Sequence, residues 1–197
     1  MKKIGITLIT IAFLIIIACK EEKKEAITEV EKTEDVSEIK KENNSQDKKE
    51  ILVRLESKSE SNAAGKLFFI EEDGVVYLEA KFMGLTPGTH AIHIHEKADC
   101  SSPDGKSAGG HWNPTFQNHG KWGSKDGYHK GDIGNFEAND NGDGKIAMKT
   151  DEWCIGCGDE AKDIIGKSII VHQGIDDFVS QPSGAAGARV SCGGIIQ

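Results

Sequence analysis

His90-Ala91-Ile92-His93-Ile94-His95 is the stretch on which the reading of this chain turns. Successive side chains of a strand point to opposite faces. Ile92 and Ile94 therefore share one face, and His93 and His95 share the other. The isoleucines belong to a core. The two histidines point together away from it, where two neutral imidazoles can clamp one metal ion. His90 has the parity of the isoleucines and reads as a structural histidine.

The same strand character recurs on both sides of this stretch. Besides 90–95, segments 51–55, 66–70, 75–82, 132–137, 145–149, 168–172 and 188–192 read as strands, eight in all, with no convincing helix. Turn signals separate several of them: Glu72-Asp73-Gly74, Thr86-Pro87-Gly88 and Asn141-Gly142-Asp143-Gly144. With 23 glycines against 4 prolines, the chain is built for tight turns. Many short strands in one domain favour an antiparallel sandwich or barrel. Two stretches break the pattern, 97–131 and 173–187, and loops this long in a compact domain are usually functional.

The histidines gather in or beside those loops. His111, His119 and His129 lie in the first, followed by Asp132, and His172 ends the apolar run Ile169-Ile170-Val171. Three imidazoles and one carboxylate suit a tetrahedral zinc shell. His172 is the sixth histidine among the ligand candidates. Asn139-Asp140-Asn141-Gly142-Asp143-Gly144 has the look of a calcium loop, but position twelve, where a bidentate glutamate would be needed, is Thr150. The segment reads instead as a hairpin turn.

The N-terminus is a separate matter. Lys2 and Lys3 precede an apolar run from Ile4 to Ala18, too short for a comfortable membrane span and of signal-peptide length. It ends Ile16-Ile17-Ala18-Cys19, which resembles the lipobox of bacterial lipoproteins. That resemblance implies that 1–19 is a signal segment, with Cys19 lipidated and anchoring the exported chain to a membrane. Of residues 20–50, 19 of 31 are charged and none is aromatic, so the segment reads as a solvated, disordered linker. The domain then runs over 51–197. The whole chain carries −8, and the domain keeps −7 once the two signal lysines and the linker's excess of three acids are set aside. Such a balance argues against a nucleic-acid binder. It also means that an anionic substrate would have to be drawn in by a local field.

Apart from Cys19, four cysteines remain: Cys100, Cys154, Cys157 and Cys192. In an exported domain disulfides are plausible, and four cysteines allow three pairings. Cys154-Ile155-Gly156-Cys157 reads as a local disulfide brace, with a redox dithiol or an auxiliary metal site as alternatives.

Taken together, several runs resemble the copper/zinc superoxide dismutase family. They are His93-Ile94-His95 with Cys100 following, Gly109-Gly110-His111-Trp112-Asn113-Pro114, His119-Gly120, His129-Lys130-Gly131-Asp132-Ile133-Gly134-Asn135, and Gly187-Ala188-Arg189-Val190-Ser191-Cys192-Gly193. The resemblance spans essentially all of 51–197. It implies an all-β fold, an eight-stranded antiparallel Greek-key barrel or sandwich with two long functional loops. It implies copper ligands His93, His95, His111 and His172, and zinc ligands His111, His119, His129 and Asp132, with His111 shared. It gives Asp176 the role of a carboxylate linking a copper histidine to a zinc histidine. Arg189 becomes the cation at the mouth of the copper channel, and Cys100 and Cys192 the intrasubunit disulfide. The implied reaction converts superoxide to oxygen and hydrogen peroxide by one-electron copper cycling, with zinc redox-inert and His111 carrying a proton. The family includes monomers and dimers, which leaves a homodimer open. The place of action follows from export: a cell-envelope lipoprotein on the periplasmic face or the cell surface. The competing reading is a non-enzymatic copper- and zinc-binding envelope lipoprotein. All four copper-type histidines and Arg189 are present, which favours the enzyme.

Overall fold

A computed structural model describes residues 48–197. The expected signal segment with Cys19, and nearly all of the linker, lie outside the described residues. Among the described residues eight strands form: β1 (Lys49–Ser57), β2 (Ala64–Glu72), β3 (Val75–Met83), β4 (Gly88–His95), β5 (Gly134–Ala138), β6 (Gly144–Thr150), β7 (Ser168–His172) and β8 (Arg189–Gly194). They close into an antiparallel barrel in the order β1-β2-β3-β6-β5-β4-β7-β8. The order steps from β3 to β6 and from β4 to β7, so the connections cross in Greek-key fashion. Closure leaves no sheet edge open to another chain.

Alternation produces this barrel. Ile51, Val53 and Leu55 of β1, Leu67 and Phe69 of β2, and Val76, Leu78, Ala80 and Phe82 of β3 point inward and are buried. Their neighbours in sequence face water. β4 and β7 depart from this rule. From His90 to His95, and throughout Ser168–His172, every residue is buried on both faces. Their outer faces lie beneath the two long loops.

The strand limits differ from the sequence expectation where specific contacts decide them. β1 begins two residues before position 51, because Lys49 pairs with Glu71 of β2 and its Nζ donates to the Ile155 carbonyl at 2.7 Å. β5 begins at Gly134, not at position 132, because Asp132 is used in a turn. Its Oδ2 accepts the backbone N–H of His129 at 2.8 Å and of Gly120 at 3.2 Å. The described residues also contain one helical turn, the 3-10 segment Lys106–Ala108, in the first loop. The calcium-like segment is a turn between β5 and β6: Asn139 Oδ1 accepts the N–H groups of Asn141 and Asp143 at 2.9 and 3.0 Å.

Among the described residues two disulfides are formed, Cys100–Cys192 and Cys154–Cys157. The first joins the long loop to β8 across 92 residues. It sits in a small cluster outside the barrel with Ala108 and Ile170, so it fastens the loop over the outer face of β7. Replacing Cys100 and Cys192 together with serine is expected to lower stability by about 2–5 kcal/mol. Denaturant unfolding of both forms measures this, and a midpoint unchanged within error would refute it.

Candidate metal centre

Four residues that read as ligands for one ion meet above β4 and β7. His93 and His95 are on β4, His172 ends β7, and His111 forms an isolated bridge with His95 from the first loop. One potential ligand atom from each of the four lies within 4.8 Å of the others. A second group, His111, His119, His129 and Asp132, meets the same limit. His111 belongs to both. His93 and His95 do point away from the barrel core, as their parity requires, yet both are wholly buried because the loops cover them. His90 faces the barrel side: its ring stacks near Phe136, and its two nitrogens lie 2.8 Å from the carbonyls of His172 and Thr86.

Ring orientation shows what these imidazoles are arranged to do. His93 uses Nε2 toward Asp176 Oδ2 at 2.9 Å, His95 uses Nδ1 toward the Gly109 carbonyl at 3.0 Å, and His111 uses Nδ1 toward Asp132 Oδ1 at 2.8 Å. His172 Nδ1 faces the Gly187 carbonyl at 3.4 Å. In each ring the other nitrogen is buried and has no hydrogen-bond partner: His93 Nδ1, and Nε2 of His95, His111 and His172. Buried polar atoms normally find partners. Four orphaned nitrogens on residues that converge on one point are what a metal ion would satisfy. In the second group Nδ1 of His119 and of His129 is likewise without a hydrogen bond. These atoms lie 3.0 and 3.2 Å from the oxygens of Asp132, close but not aligned as donors. The donor sets, four imidazoles and three imidazoles with a carboxylate, fit copper and zinc respectively.

Asp176 ties the two groups together. Its Oδ2 meets His93 and its Oδ1 meets His119 Nε2 at 2.8 Å, while the Phe178 N–H donates to Oδ1 at 2.7 Å. Its backbone is paired twice with the Asn135 amide, at 2.9 Å each way. Gly184 passes so close that a Cβ there would stand 1.8 Å from Asp176 Oδ1, and its φ of +65° also demands glycine. Gly131 is constrained by approach alone, since a Cβ would stand 2.2 Å from the Ile94 carbonyl oxygen.

The electrostatics suit ligation. Burial holds His95 and His172 well below the usual histidine range, aided by neighbouring histidines and by the Arg189 charge. Burial likewise takes His111 down to about 4, against the pull of Asp132. These imidazoles are neutral, as metal ligation requires. Burial would lower His119 too, but the Asp132 and Asp176 carboxylates beside its two nitrogens raise it to about 9, so a metal taken up there displaces a proton from this ring. Burial would raise Asp132 and Asp176; their histidine partners instead hold both carboxyls well below the usual carboxylate range. Arg189 opens β8, and its Nη1 donates to the Gly105 carbonyl at 2.8 Å. Half-burial lowers its pKa, with Asp104 and Glu96 opposing, and a guanidinium so placed stays charged.

Some contributors were not singled out in the sequence. Gln181 clamps the backbone of His119 from the second loop: its Oε1 accepts the His119 N–H at 2.8 Å and its Nε2 donates to the His119 carbonyl at 2.9 Å. Trp153 Nε1 donates to the Lys130 carbonyl at 2.8 Å. No spacing rule marks either residue.

The comparisons with known proteins agree on one family. The model of the copper/zinc superoxide dismutase family matches residues 63–195. A relative from Caulobacter vibrioides named as a Cu-Zn superoxide dismutase is 40% identical over 134 residues, covering 66% of this chain and 76% of its own. The protein from Aquifex aeolicus named Cu-Zn superoxide dismutase 2 is 34% identical over 138 residues, covering 68% of this chain and 80% of its own. Among solved structures, the crystal structure of a double mutant of a SOD-like protein from Bacillus subtilis superposes with a TM-score of 0.66 at 33% identity, covering 74% of this chain and 97% of that one.

Proposed function

This chain belongs to the copper/zinc superoxide dismutase family, and from that premise we propose that it works as an exported, lipid-anchored enzyme whose two metals sit in the histidine groups just described. The activity is that of the family: superoxide is converted to oxygen and hydrogen peroxide, with copper and zinc as cofactors. His93, His95, His111 and His172 hold the copper. His111, His119, His129 and Asp132 hold the zinc. The observation that carries this assignment is the set of buried ring nitrogens without partners, grouped around a shared His111.

When bound, copper supplies a one-electron redox centre, and zinc supplies a fixed charge without redox chemistry. The protein's own residues do the rest. Gly109, Gly187, Asp132 and Asp176 each engage one nitrogen of a histidine ring and so fix which nitrogen is left free. The two loops exclude bulk water from the outer faces of β4 and β7. His111 stands between the two groups and is placed to carry a proton for peroxide formation. Arg189 offers an anion a fixed positive charge, which matters in a domain of net −7.

The anchor is supported by Ile16-Ile17-Ala18-Cys19 after the apolar run, and the charged segment behind it would serve as a tether. The place of action is then the cell envelope, on its periplasmic face or outer surface. Expression of the full chain with both metals supplied tests the reading. We expect the protein in the detergent phase, with about one copper and one zinc per chain and superoxide-consuming activity. Cys19→Ala should move it to the aqueous phase with activity kept. Zinc in both sites after copper has been supplied would overturn the enzyme reading, and a wild type that partitions into water would overturn the anchor.

A further inference from the structure

We propose that Glu152 and Trp153 position the loop that carries His129 and Asp132, and that the Cys154–Cys157 disulfide is the brace holding them there. The proposal rests on the zinc reading of those two ligands given above.

The residues flanking His129 are both held from the segment that follows β6. Tyr128 donates its hydroxyl to Glu152 Oε1 at 2.6 Å, and the Lys130 ammonium pairs with Glu152 Oε2. One residue on, Trp153 Nε1 donates to the Lys130 carbonyl at 2.8 Å. Three contacts from two adjacent residues thus bracket one histidine. Trp153 is almost wholly buried, and it meets Trp122 edge-on with ring centroids 5.3 Å apart; Trp122 in turn meets Tyr128 at 5.1 Å. A buried tryptophan needs a partner for its N–H wherever it packs, and this one finds it in the loop that holds the ligands. This one aims its only polar atom at the peptide between His129 and Asp132.

The next residues anchor that bracket to the barrel. Ile155 is fully buried, its N–H donates to Glu71 Oε2 at 2.8 Å, and its carbonyl accepts Lys49 Nζ at 2.7 Å. Cys154 exchanges backbone bonds with Lys162 and Ile164. Asp163 gathers the N–H groups of Gly156, Gly158 and Ile165 at 2.9, 2.9 and 3.0 Å. The disulfide closes a ring around Ile155 and Gly156 inside this frame. Cys154 and Cys157 also lie near Asp163 in a third group of potential ligand atoms, but both sulfurs are spent in the disulfide and the Asp163 oxygens already have backbone partners. The ring is therefore a structural brace, and the zinc loop is the element it supports.

Partners that orient metal ligands typically contribute roughly 10–100-fold in metal affinity. Chelator competition for zinc on the full-length protein, well below its unfolding temperature, reads this directly. Trp153→Phe keeps the ring and loses the N–H; we expect zinc affinity to fall about tenfold or more, within that range. Glu152→Gln keeps the size and loses the charge, and should fall in the same direction. The Cys154→Ser/Cys157→Ser double variant should also bind zinc more weakly. Adding Trp153→Phe to it should weaken binding no further than the weaker parent, since both act through one chain of contacts. Phe82→Leu is the control: it opens the stack of Phe82 on Phe136, 4.3 Å apart, at the opposite end of β3, and should cost stability while leaving zinc affinity unmoved. If Trp153→Phe does not fold, Glu152→Gln decides the case. Unchanged zinc affinity in the folded variants overturns this proposal alone. A wild type that takes up no zinc overturns the metal reading with it.

Discussion

His172→Ala is expected to abolish superoxide consumption and to leave zinc in place. The two groups of ligands separate cleanly at this residue. His172 Nε2 is one of the four orphaned nitrogens of the copper group, and His172 is absent from the group of His111, His119, His129 and Asp132. Its ring touches the zinc side only through neighbours: its centroid lies 4.9 Å from that of His93 and 6.1 Å from that of His111. The fold should tolerate the change, because His172 is the last residue of β7 and its backbone carbonyl still accepts from His90. Removing an outer partner of a metal ligand costs roughly 10–100-fold, so removing a ligand itself should exceed that range. Elemental analysis alongside the activity assay checks both halves. If copper and zinc both stay bound and the rate is unchanged, the copper assignment is wrong.

Arg189→Ile should lower the rate at low salt by roughly one to two orders of magnitude, the scale of field-steered association. The domain as a whole repels an anion, with its net −7. Attraction must come from close to the site. Arg189 is fixed there, its Nη1 on the Gly105 carbonyl at 2.8 Å and its backbone at the start of the strand that the Cys100–Cys192 disulfide fastens. Its charge is felt at His95 and His172, where it helps keep both imidazoles neutral. Both metals should remain in Arg189→Ile, since a guanidinium is not a ligand. Arg189→Lys should recover part of the rate, because it returns the charge but not the planar fork that meets the Gly105 carbonyl. Added salt should slow the wild type and affect Arg189→Ile less, since a screened attraction is what the variant lacks. Equal rates at low salt would remove the guidance role.

Local rules made much of this protein legible from its sequence. Period-two alternation places Ile92 and Ile94 in the barrel and His93 and His95 outside it, because pleating acts between adjacent residues. Turn chemistry separates β5 from β6 at Asn139 to Gly144, and spacing with composition marks the histidines as metal-binding candidates. Motif resemblance assigned those histidines to copper and zinc, and gave Asp176, Arg189 and the Cys100–Cys192 pair their roles. Tertiary structure decided the rest. It determined which nitrogen of each ring is left free, a matter of carbonyls and carboxylates up to 83 residues away, as for His93 and Asp176. It buried His93 and His95 under loops whose paths no periodicity describes. It set Gln181 on the backbone of His119 and Trp153 on the carbonyl of Lys130, with sequence separations of 62 and 23. Contacts of that kind join residues far apart in the chain, and a side chain that bonds to a peptide group leaves no pattern in its neighbours.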